Sequence, residues 1–374
     1  MIFMKQPFKP SRILMLKGHS AGIGDLLRSS AAWRVLKNAY PEAELHLLFF
    51  TREPGYPSEE LIREHHLLSG FAVIDKRTRT LKEWLRFWAD VQRAGRQTRP
   101  ELVIDFESNG VRTSLVAAWF RLRWGARTVG INAVPGRNIF YGRAASSRRQ
   151  YAQRRGLSWP INYAERDFVA LAALGLEREG CAIEMRETEA GRKFRLGLRR
   201  NHGLDEAVPL LGLNIGCGTP GALDRRPNLA LLSELIAGLQ RDYGMRLVLA
   251  GAPFEREVNR EFIALHRQRS PDPVIDLAGE TNLSGLTGII SACRLFISGD
   301  SGPYHIAVAL GVPTLAVFNY PNQEALHHHP WVRCCVAPTL ADAPALRRAA
   351  DELLANARSS PPAAERGSVT RSTA

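Results

Sequence analysis

The feature that most limits how this chain can fold is an alternation of short apolar runs with segments of helical periodicity, which occurs twice along the sequence. Strands that alternate with helices need crossover connections and therefore form mostly parallel sheets. The sequence thus predicts an α/β protein built from two successive doubly wound units. The predicted strands are residues 13–16, 45–50, 71–74 and 102–106, and then 210–215, 246–250, 274–277, 295–298 and 314–318.

A polar, arginine-rich stretch at residues 187–205 separates the two halves. We therefore predict Rossmann-like domains at 11–186 and 206–335, facing a central cleft, and we expect ligands at the carboxyl ends of the strands. Residues 343–357 are predicted to form a terminal helix. Residues 358–374 are rich in Ser, Pro, Ala and Thr and cannot bury enough apolar surface to become ordered.

Composition excludes several classes of protein. Of the 374 residues, 45% are hydrophobic and 23% are charged, which is typical of globular domains. No apolar run reaches the roughly 18 residues that cross a bilayer, and none near the start has secretory length. The five cysteines are scattered and lack the Cys-x-x-Cys spacing of metal sites. We expect a cytoplasmic protein.

The chain is strongly basic, with 50 Lys and Arg against 37 Asp and Glu, a net charge of +13. Such a balance indicates an anionic partner: nucleic acid, membrane phosphate or a phosphorylated substrate. No nucleic-acid-binding module is recognisable. Between residues 137 and 155 there are six arginines and no acid. This stretch is either solvated and mobile or a phosphate-binding loop, and from it we select Arg143 and Arg148 as acceptor-binding candidates.

The turn after the first strand carries the first candidate site. Gly22 and Gly24 lie in the turn and are further acceptor-binding candidates, and Asp25 follows where a helix begins. Position alone favours Asp25 as a helix N-cap. The alternative is a general base in a cleft. A helix N-terminus lowers the pKa of a carboxylate whereas burial raises it, and the sequence does not decide between them.

A second candidate is the Gly-Asp-Ser-Gly-Pro-Tyr-His run at 299–305. It does not match the Gly-x-Ser-x-Gly turn of serine hydrolases, so we reject Ser301 as a nucleophile. Ser301 and Gly302 would instead present backbone amides to an anion at a helix start, with His305 as an extra donor. A capped helix with Pro303 in its first turn explains the spacing equally well.

Two further loops follow strands in the second half. The loop at 216–221 fits Gly-x-Gly-x-x-Gly, but no acidic residue ends the next strand, so a dehydrogenase is disfavoured. A loop that holds pyrophosphate through Thr219 remains, followed closely by Arg225 and Arg226. Glu255 begins a helix, either as a first-turn acid or as a ligand of a ribose.

Metal ligands are poorly represented. Three adjacent histidines at 327–329 splay apart and have no carboxylate or cysteine at ligand spacing, so we interpret them as loop histidines. The sequence also lacks the Asp-x-Asp that holds a metal-bridged diphosphate in many sugar transferases.

Together these residues resemble glycosyltransferase family 9, the ADP-heptose:lipopolysaccharide heptosyltransferases. The most specific parts are Leu-Ala-Gly-Glu-Thr-Asn-Leu at 277–283 and Ser-Gly-Asp-Ser-Gly-Pro-Tyr-His at 298–305. The resemblance covers roughly residues 12–330. It implies a GT-B fold, an acceptor on the first domain, a nucleotide sugar on the second, and inverting transfer without a metal or other cofactor.

The resemblance also implies roles for individual residues. Asp25 would deprotonate the acceptor, and Glu255 would hold the adenosine ribose. Asp300 would contact the heptose, with His305 supporting the site. The diphosphate would lie on the Thr219 hydroxyl and the amides of Ser301 and Gly302.

This sequence departs from the family at three places, one of which is a first glycine loop that is longer than usual. Asp224 stands where the family has a phosphate-clamping lysine, so Arg225 or Arg226 would replace that lysine. The usual Gly-Pro-Thr after the last strand is replaced by Asn-Tyr-Pro-Asn at 319–322. We expect an anionic lipopolysaccharide-core acceptor at the inner membrane, with peripheral membrane contact. The alternatives are another nucleotide sugar or acceptor, or a basic binding protein without catalysis.

Overall fold

A computed structural model describes most of the chain, which divides into two compact units. The first contains Met1–Ala21 and Arg28–Cys181, and the second contains Gly22–Leu27 and Ala182–Ala374. The first helix of the chain, α1 (Ile23–Leu27), therefore belongs to the second unit. The described residues are 8–18, 22–178, 180–216 and 225–358.

The first unit is built on a six-stranded parallel sheet with the strand order β3-β2-β1-β4-β5-β6. Its strands are β1 (Arg12–Gly18), β2 (Glu44–Thr51), β3 (Gly70–Asp75), β4 (Leu102–Asp105), β5 (Arg127–Ile131) and β6 (Arg143–Ala145). Its helices are α2 (Ser30–Ala39), α3 (Ser58–Arg63), α4 (Leu81–Thr98), α5 (Val111–Trp124), α6 (Arg148–Arg155) and α7 (Phe168–Leu171).

The second unit repeats this order, as β12-β11-β10-β7-β8-β9, again with parallel pairs. Its strands are β7 (Leu210–Asn214), β8 (Arg246–Ala250), β9 (Val274–Asp276), β10 (Cys293–Ser298), β11 (Thr314–Phe318) and β12 (Val332–Val336). Its remaining helices are α8 (Glu189–Asn201), α9 (Leu229–Tyr243), α10 (Arg256–His266), α11 (Leu283–Ser291), α12 (Gly302–Ala309) and α13 (Ala343–Arg358).

The predicted fold class, an α/β protein with two doubly wound units, is confirmed. Its central strands are buried over nearly their whole length, because helices cover both faces of a parallel sheet, and this explains their continuous apolar runs. Three strands were missed by the sequence analysis: β5, β6 and β12. All three lie toward a sheet edge, where their sequences are shorter or mix polar with apolar residues.

The stretch at 187–205, predicted as a boundary, instead contains helix α8 within the second unit. Its N-cap is Thr188, whose hydroxyl oxygen accepts a hydrogen bond from the Gly191 N–H at 2.9 Å. The helix packs closely on α11, because a Cβ on Gly288 would overlap the Gly191 backbone. The two glycines at this contact thus allow α8 to pack on α11 although its sequence is polar. The predicted tail from 359 onward lies outside the described residues.

The arginine-rich stretch begins with a side chain that is buried, not solvated. The Arg137 guanidinium donates hydrogen bonds to Asp105 Oδ2 at 3.0 Å and to Ser114 Oγ at 2.7 Å. It also donates to the carbonyls of Ser108, Ile131 and Gly110. One side chain therefore ties together the ends of β4 and β5 and the start of α5.

The carboxyl group at the centre of this network is Asp105, which is completely buried. Burial raises the pKa of Asp105 to about 7, against the charge of Arg137 and the hydrogen bond from Tyr141, which favour the ionised form. The Tyr141 hydroxyl donates to Asp105 Oδ2 at 2.7 Å. The ionised form of Asp105 is therefore stabilised by each donor that faces its carboxyl group.

We expect Arg137→Met to lower the free energy of unfolding by about 3–5 kcal/mol, because it leaves a buried carboxyl group without its cation. Urea unfolding measures this loss. The control is Arg149→Met, at an exposed arginine of the same stretch, for which we expect a change within about 0.5 kcal/mol. Equal effects of the two substitutions would contradict a structural role for Arg137.

Candidate functional site

In the second unit, β7 and β10 lie side by side at the centre of the sheet, where the strand order reverses. Such a switch point opens a crevice at the carboxyl ends of the strands, where ligands bind. The Ser301 hydroxyl joins the two strand ends, because it donates to Asn214 Oδ1 at 2.9 Å and lies 3.0 Å from Ser298 Oγ. Ser301 is thus a buried structural residue, which agrees with its rejection as a nucleophile.

Asp300 occupies the same edge of the sheet, and its carboxylate is held by two donors. The Tyr320 hydroxyl donates to Asp300 Oδ2 at 2.6 Å, and the Asn322 amide donates to the same oxygen at 2.8 Å. Burial, with the bond to Asp300, raises the pKa of Tyr320 to about 12, which keeps its proton on the oxygen. Both donors come from the segment in which the sequence departs from the family pattern.

Arg225 lies beside the ring of Tyr320, the residue that donates to Asp300. Its guanidinium carbon is 5.5 Å from the centre of the Tyr320 ring, within the range of a cation–π contact. Its carbonyl oxygen would be 3.5 Å from a Cβ on Gly299. Arg225 and the half-buried Arg226 therefore bring positive charge to the loop after β10. The hydroxyl of Thr219, the other predicted phosphate ligand, lies outside the described residues.

His305 lies in α12 and forms a buried pair with His327. Its Nδ1 is 2.9 Å from His327 Nε2, so one ring donates and the other accepts. The His327 backbone N–H donates to the Tyr304 hydroxyl at 2.9 Å, which fixes the loop to the helix. Interpreting all three adjacent histidines as loop residues was therefore incomplete, since His327 is part of the site.

Helix α1 brings Asp25 to this group. Gly24 lies against the His305 ring, because a Cβ there would be 2.6 Å from His305 Nε2. Ile23 lies against Gly302, at the start of α12, where a Cβ would be 2.7 Å from its Cδ1 atom. Asp25 is the third residue of α1, not its N-cap, and is half-buried.

The remaining residues of this helix turn have structural contacts. The carbonyl of Gly22 accepts hydrogen bonds from the N–H groups of Asp25 and Leu26, at 3.1 and 3.3 Å. The predicted acceptor-binding turn is thus adjacent to the predicted donor-binding motif within one unit. Whether Gly22 and Gly24 contact an acceptor stays a prediction.

Glu255 is buried beside the end of β7. Its Oε2 accepts a hydrogen bond from the Ala252 N–H at 2.7 Å, as expected of an acid in a first turn. A Cβ on Gly216 would overlap the Glu255 carboxylate, so only glycine permits this approach. The carboxylate is therefore positioned at the edge of the sheet, where the predicted ribose contact would need it.

The first unit has its own cavity, of about 300 Å³, at its switch point between β1 and β4. The Gly18 N–H at the end of β1 donates to Glu107 Oε1 at 3.0 Å. Burial lowers the pKa of Lys76. The sequence analysis missed this cavity because its residues come from four separate segments. It is lined by Gly18, Phe50, Arg52, Lys76, Glu107, Gly110, Val111, Arg112 and Thr113.

The arginines selected as acceptor-binding candidates do not line that cavity. Arg143 is exposed at the start of β6, and its guanidinium donates to the Ala173 carbonyl at 3.1 Å. Arg148 begins α6, after the capping residue Ser147. Within the described part of the chain, no group of three or more His, Cys, Asp or Glu residues could hold a metal ion.

Comparisons of sequence with known proteins match part of the chain, and the family match lies within the second unit. Residues 232–347 match the family model of glycosyltransferase family 9 (heptosyltransferase). The lipopolysaccharide core heptosyltransferase OpsX of Haemophilus influenzae is 31% identical over 87 residues, which are 23% of this chain and 24% of that protein. The chain thus matches about a quarter of the length of this curated relative.

Solved structures extend the likeness to both units. A glycosyl transferase family 9 protein of Veillonella parvula superimposes with a TM-score of 0.67 at 18% identity, over 92% of this chain and 97% of that one. The ADP-heptose lps heptosyltransferase II of E. coli gives 0.65 at 20% identity, over 93% and 99%. At these identities the superpositions establish a shared fold.

We expect Gly24→Ala to lower the free energy of unfolding by about 1–3 kcal/mol, because the added methyl group displaces the His305 ring. The control is Gly197→Ala in α8, where a Cβ meets no atom within 4 Å. That substitution should be neutral or stabilising by up to about 1 kcal/mol. Urea unfolding compares the two. If Gly24→Ala behaved like Gly197→Ala, the packing of α1 on α12 would be wrong.

Proposed function

We propose that this chain, whose residues 232–347 match the model of glycosyltransferase family 9 (heptosyltransferase), transfers heptose from ADP-heptose to the lipopolysaccharide core. The observation that carries the proposal is the packing of α1, with Asp25, on the start of α12, which follows Asp300. This arrangement packs the helix that carries the candidate base against the helix that directly follows the candidate sugar-binding carboxylate. The similarity to the heptosyltransferases of Haemophilus influenzae and E. coli supports the same choice.

We propose that the second unit binds the nucleotide sugar. The start of α12 favours negative charge, which suits a diphosphate, and Arg225 adds a full positive charge beside it. Arg225 thus takes the place of the family lysine, with Arg226 next to it. The buried Glu255 carboxylate is the candidate partner of the ribose hydroxyls, and Asp300 that of the heptose hydroxyls.

In the proposed reaction, the Asp25 carboxylate takes the proton of an acceptor hydroxyl. The acceptor oxygen then attacks the anomeric carbon of the heptose from the face opposite the diphosphate, and the bond from that carbon to the phosphate oxygen breaks. ADP leaves with the electron pair of that bond, and the sugar configuration is inverted. Positive charge from Arg225 would stabilise the departing diphosphate without a metal.

The acceptor proposal rests on the cavity of the first unit. Arg52, Lys76 and Arg112 line it together with Glu107, and the Arg112 guanidinium donates to the Lys76 carbonyl at 2.7 Å. Three cations against one acid suit an anionic acceptor such as the lipopolysaccharide inner core. We further propose that the enzyme acts in the cytoplasm at the inner membrane, where such an acceptor is found.

We expect Asp25→Asn to lower turnover with ADP-heptose by about 10²–10⁴-fold, because the amide side chain cannot take up the proton of the attacking hydroxyl group. ADP affinity, measured by calorimetry without added metal, should stay unchanged. Asp272→Asn, at an exposed aspartate, is the control and should keep full activity. Full activity of Asp25→Asn would contradict the proposal that Asp25 is the base. Tighter binding of UDP or GDP than of ADP would contradict the proposal that ADP-heptose is the donor.

We expect Tyr320→Phe to lower turnover with ADP-heptose roughly tenfold while leaving ADP affinity unchanged, because Asp300 loses a hydrogen-bond donor. The matched control is Tyr243→Phe, which removes a similar bond to Asp351, at 2.8 Å. Steady-state kinetics compare the two variants. If both retained wild-type turnover, the carboxylate of Asp300 would not need Tyr320 to position it for the sugar.

A further inference from the structure

A row of four tryptophans joins α4 and α5 on the surface of the first unit. Trp84 and Trp88 are 6.1 Å apart between ring centres, Trp88 and Trp119 are 5.7 Å apart, and Trp119 and Trp124 are 6.5 Å apart. Four leucines flank the row. We call this surface the tryptophan face, and its residues are Leu81, Trp84, Leu85, Trp88, Leu115, Trp119, Leu122 and Trp124.

The tryptophan face exposes far more apolar surface than the core of the unit requires. Leu122 is 84% exposed, Leu81 is 73% exposed and Trp84 is 49% exposed. Phe87 and Phe120 of the same helices are core residues, and Trp88, Trp119 and Trp124 are partly buried against that core, so the exposed part of the face is formed by Trp84 and the leucines. Contiguous exposed apolar residues of this size mark an interaction surface.

The charges around this face are mostly positive. Helix α5 has three arginines, at 112, 121 and 123, and no acidic residue. Within the described residues, Arg121 and Arg123 form no ion pair, and the Arg123 guanidinium lies 5.4 Å from the Trp124 ring centre. On α4, the Glu83 carboxylate accepts from the backbone amides of its own N-terminus.

This combination of side chains fits an anionic lipid surface. Tryptophan rings prefer the interface between headgroups and acyl chains, and leucines insert below it. Arginines at the same level contact lipid phosphates. A second copy of the chain fits less well, because a two-fold contact would place the same arginines against each other.

We propose that the tryptophan face of α4 and α5 is the surface by which this protein docks on anionic phospholipid membranes. It gives the proposed membrane location a defined surface, and in this sense it rests on the proposed function. Docking itself needs neither the donor site nor the acceptor.

Flotation with phospholipid vesicles that contain no lipopolysaccharide tests the surface directly. The protein of 374 residues should float with phosphatidylcholine vesicles that contain phosphatidylglycerol, and much less with phosphatidylcholine alone. Leu85→Ser with Leu122→Ser should weaken this partition at least about tenfold. Arg121→Glu with Arg123→Glu should weaken it by a similar factor, and added salt should weaken wild-type binding.

Two controls separate docking from folding and from catalysis. Leu196→Ser with Leu340→Ser changes two exposed leucines of the second unit and should float like the wild type. Asp25→Asn should also float like the wild type, so that a failed reaction and failed docking are distinguishable. Thermal unfolding of each variant verifies its fold.

Three results would overturn the proposal. The first is wild-type protein that does not float with either type of vesicle. The second is equal flotation of the wild type and both double variants of the tryptophan face. The third is a dimer, detected by sedimentation, that Leu85→Ser with Leu122→Ser converts to a monomer while flotation stays unchanged, because the face would then bind a second copy.

Discussion

Both units depend on the same constraint, which is that two neighbouring central strands send their connections to opposite sides of a parallel sheet. Loops that leave in opposite directions cannot fill the space between them. In the first unit this space is the cavity beside Glu107, and Arg137 donates a hydrogen bond to the carbonyl of Gly110, one of the lining residues. In the second unit Ser301 joins the two strand ends, and Asp300 and His305 are consequently held beside the crevice.

The sequence predicted the parts of this design that depend on neighbouring residues. Each central strand contains an uninterrupted apolar run, and the run at 299–305 follows β10 directly, so both were recognised locally. Tyr320 and His327 could not be found in this way. They contact Asp300 and His305 from a loop beyond β11. No local sequence pattern predicts which side chains of such a loop will contact residues of an earlier segment.

Burial explains the main error. A run of arginines without acids is typical of a solvated segment, yet Arg137 meets an aspartate 32 residues earlier in the chain. The ion pair is possible only because β4 and β5 are adjacent in the sheet. Arginine is suited to the position, since its fork of donors can serve one carboxylate and several carbonyls together. This ion pair could therefore be identified only once the order of the strands in the sheet was known.

Helix α1 has a consequence for how the protein is made. A helix of five residues is too short to be stable alone, because its nucleation cost exceeds what so few hydrogen bonds return. Its partner α12 lies near the other end of the chain. During synthesis, the segment with Asp25 therefore leaves the ribosome long before the helix that orders it. While the first unit folds, the segment with the candidate base, which belongs to the second unit, would stay without its helical structure until α12 had emerged.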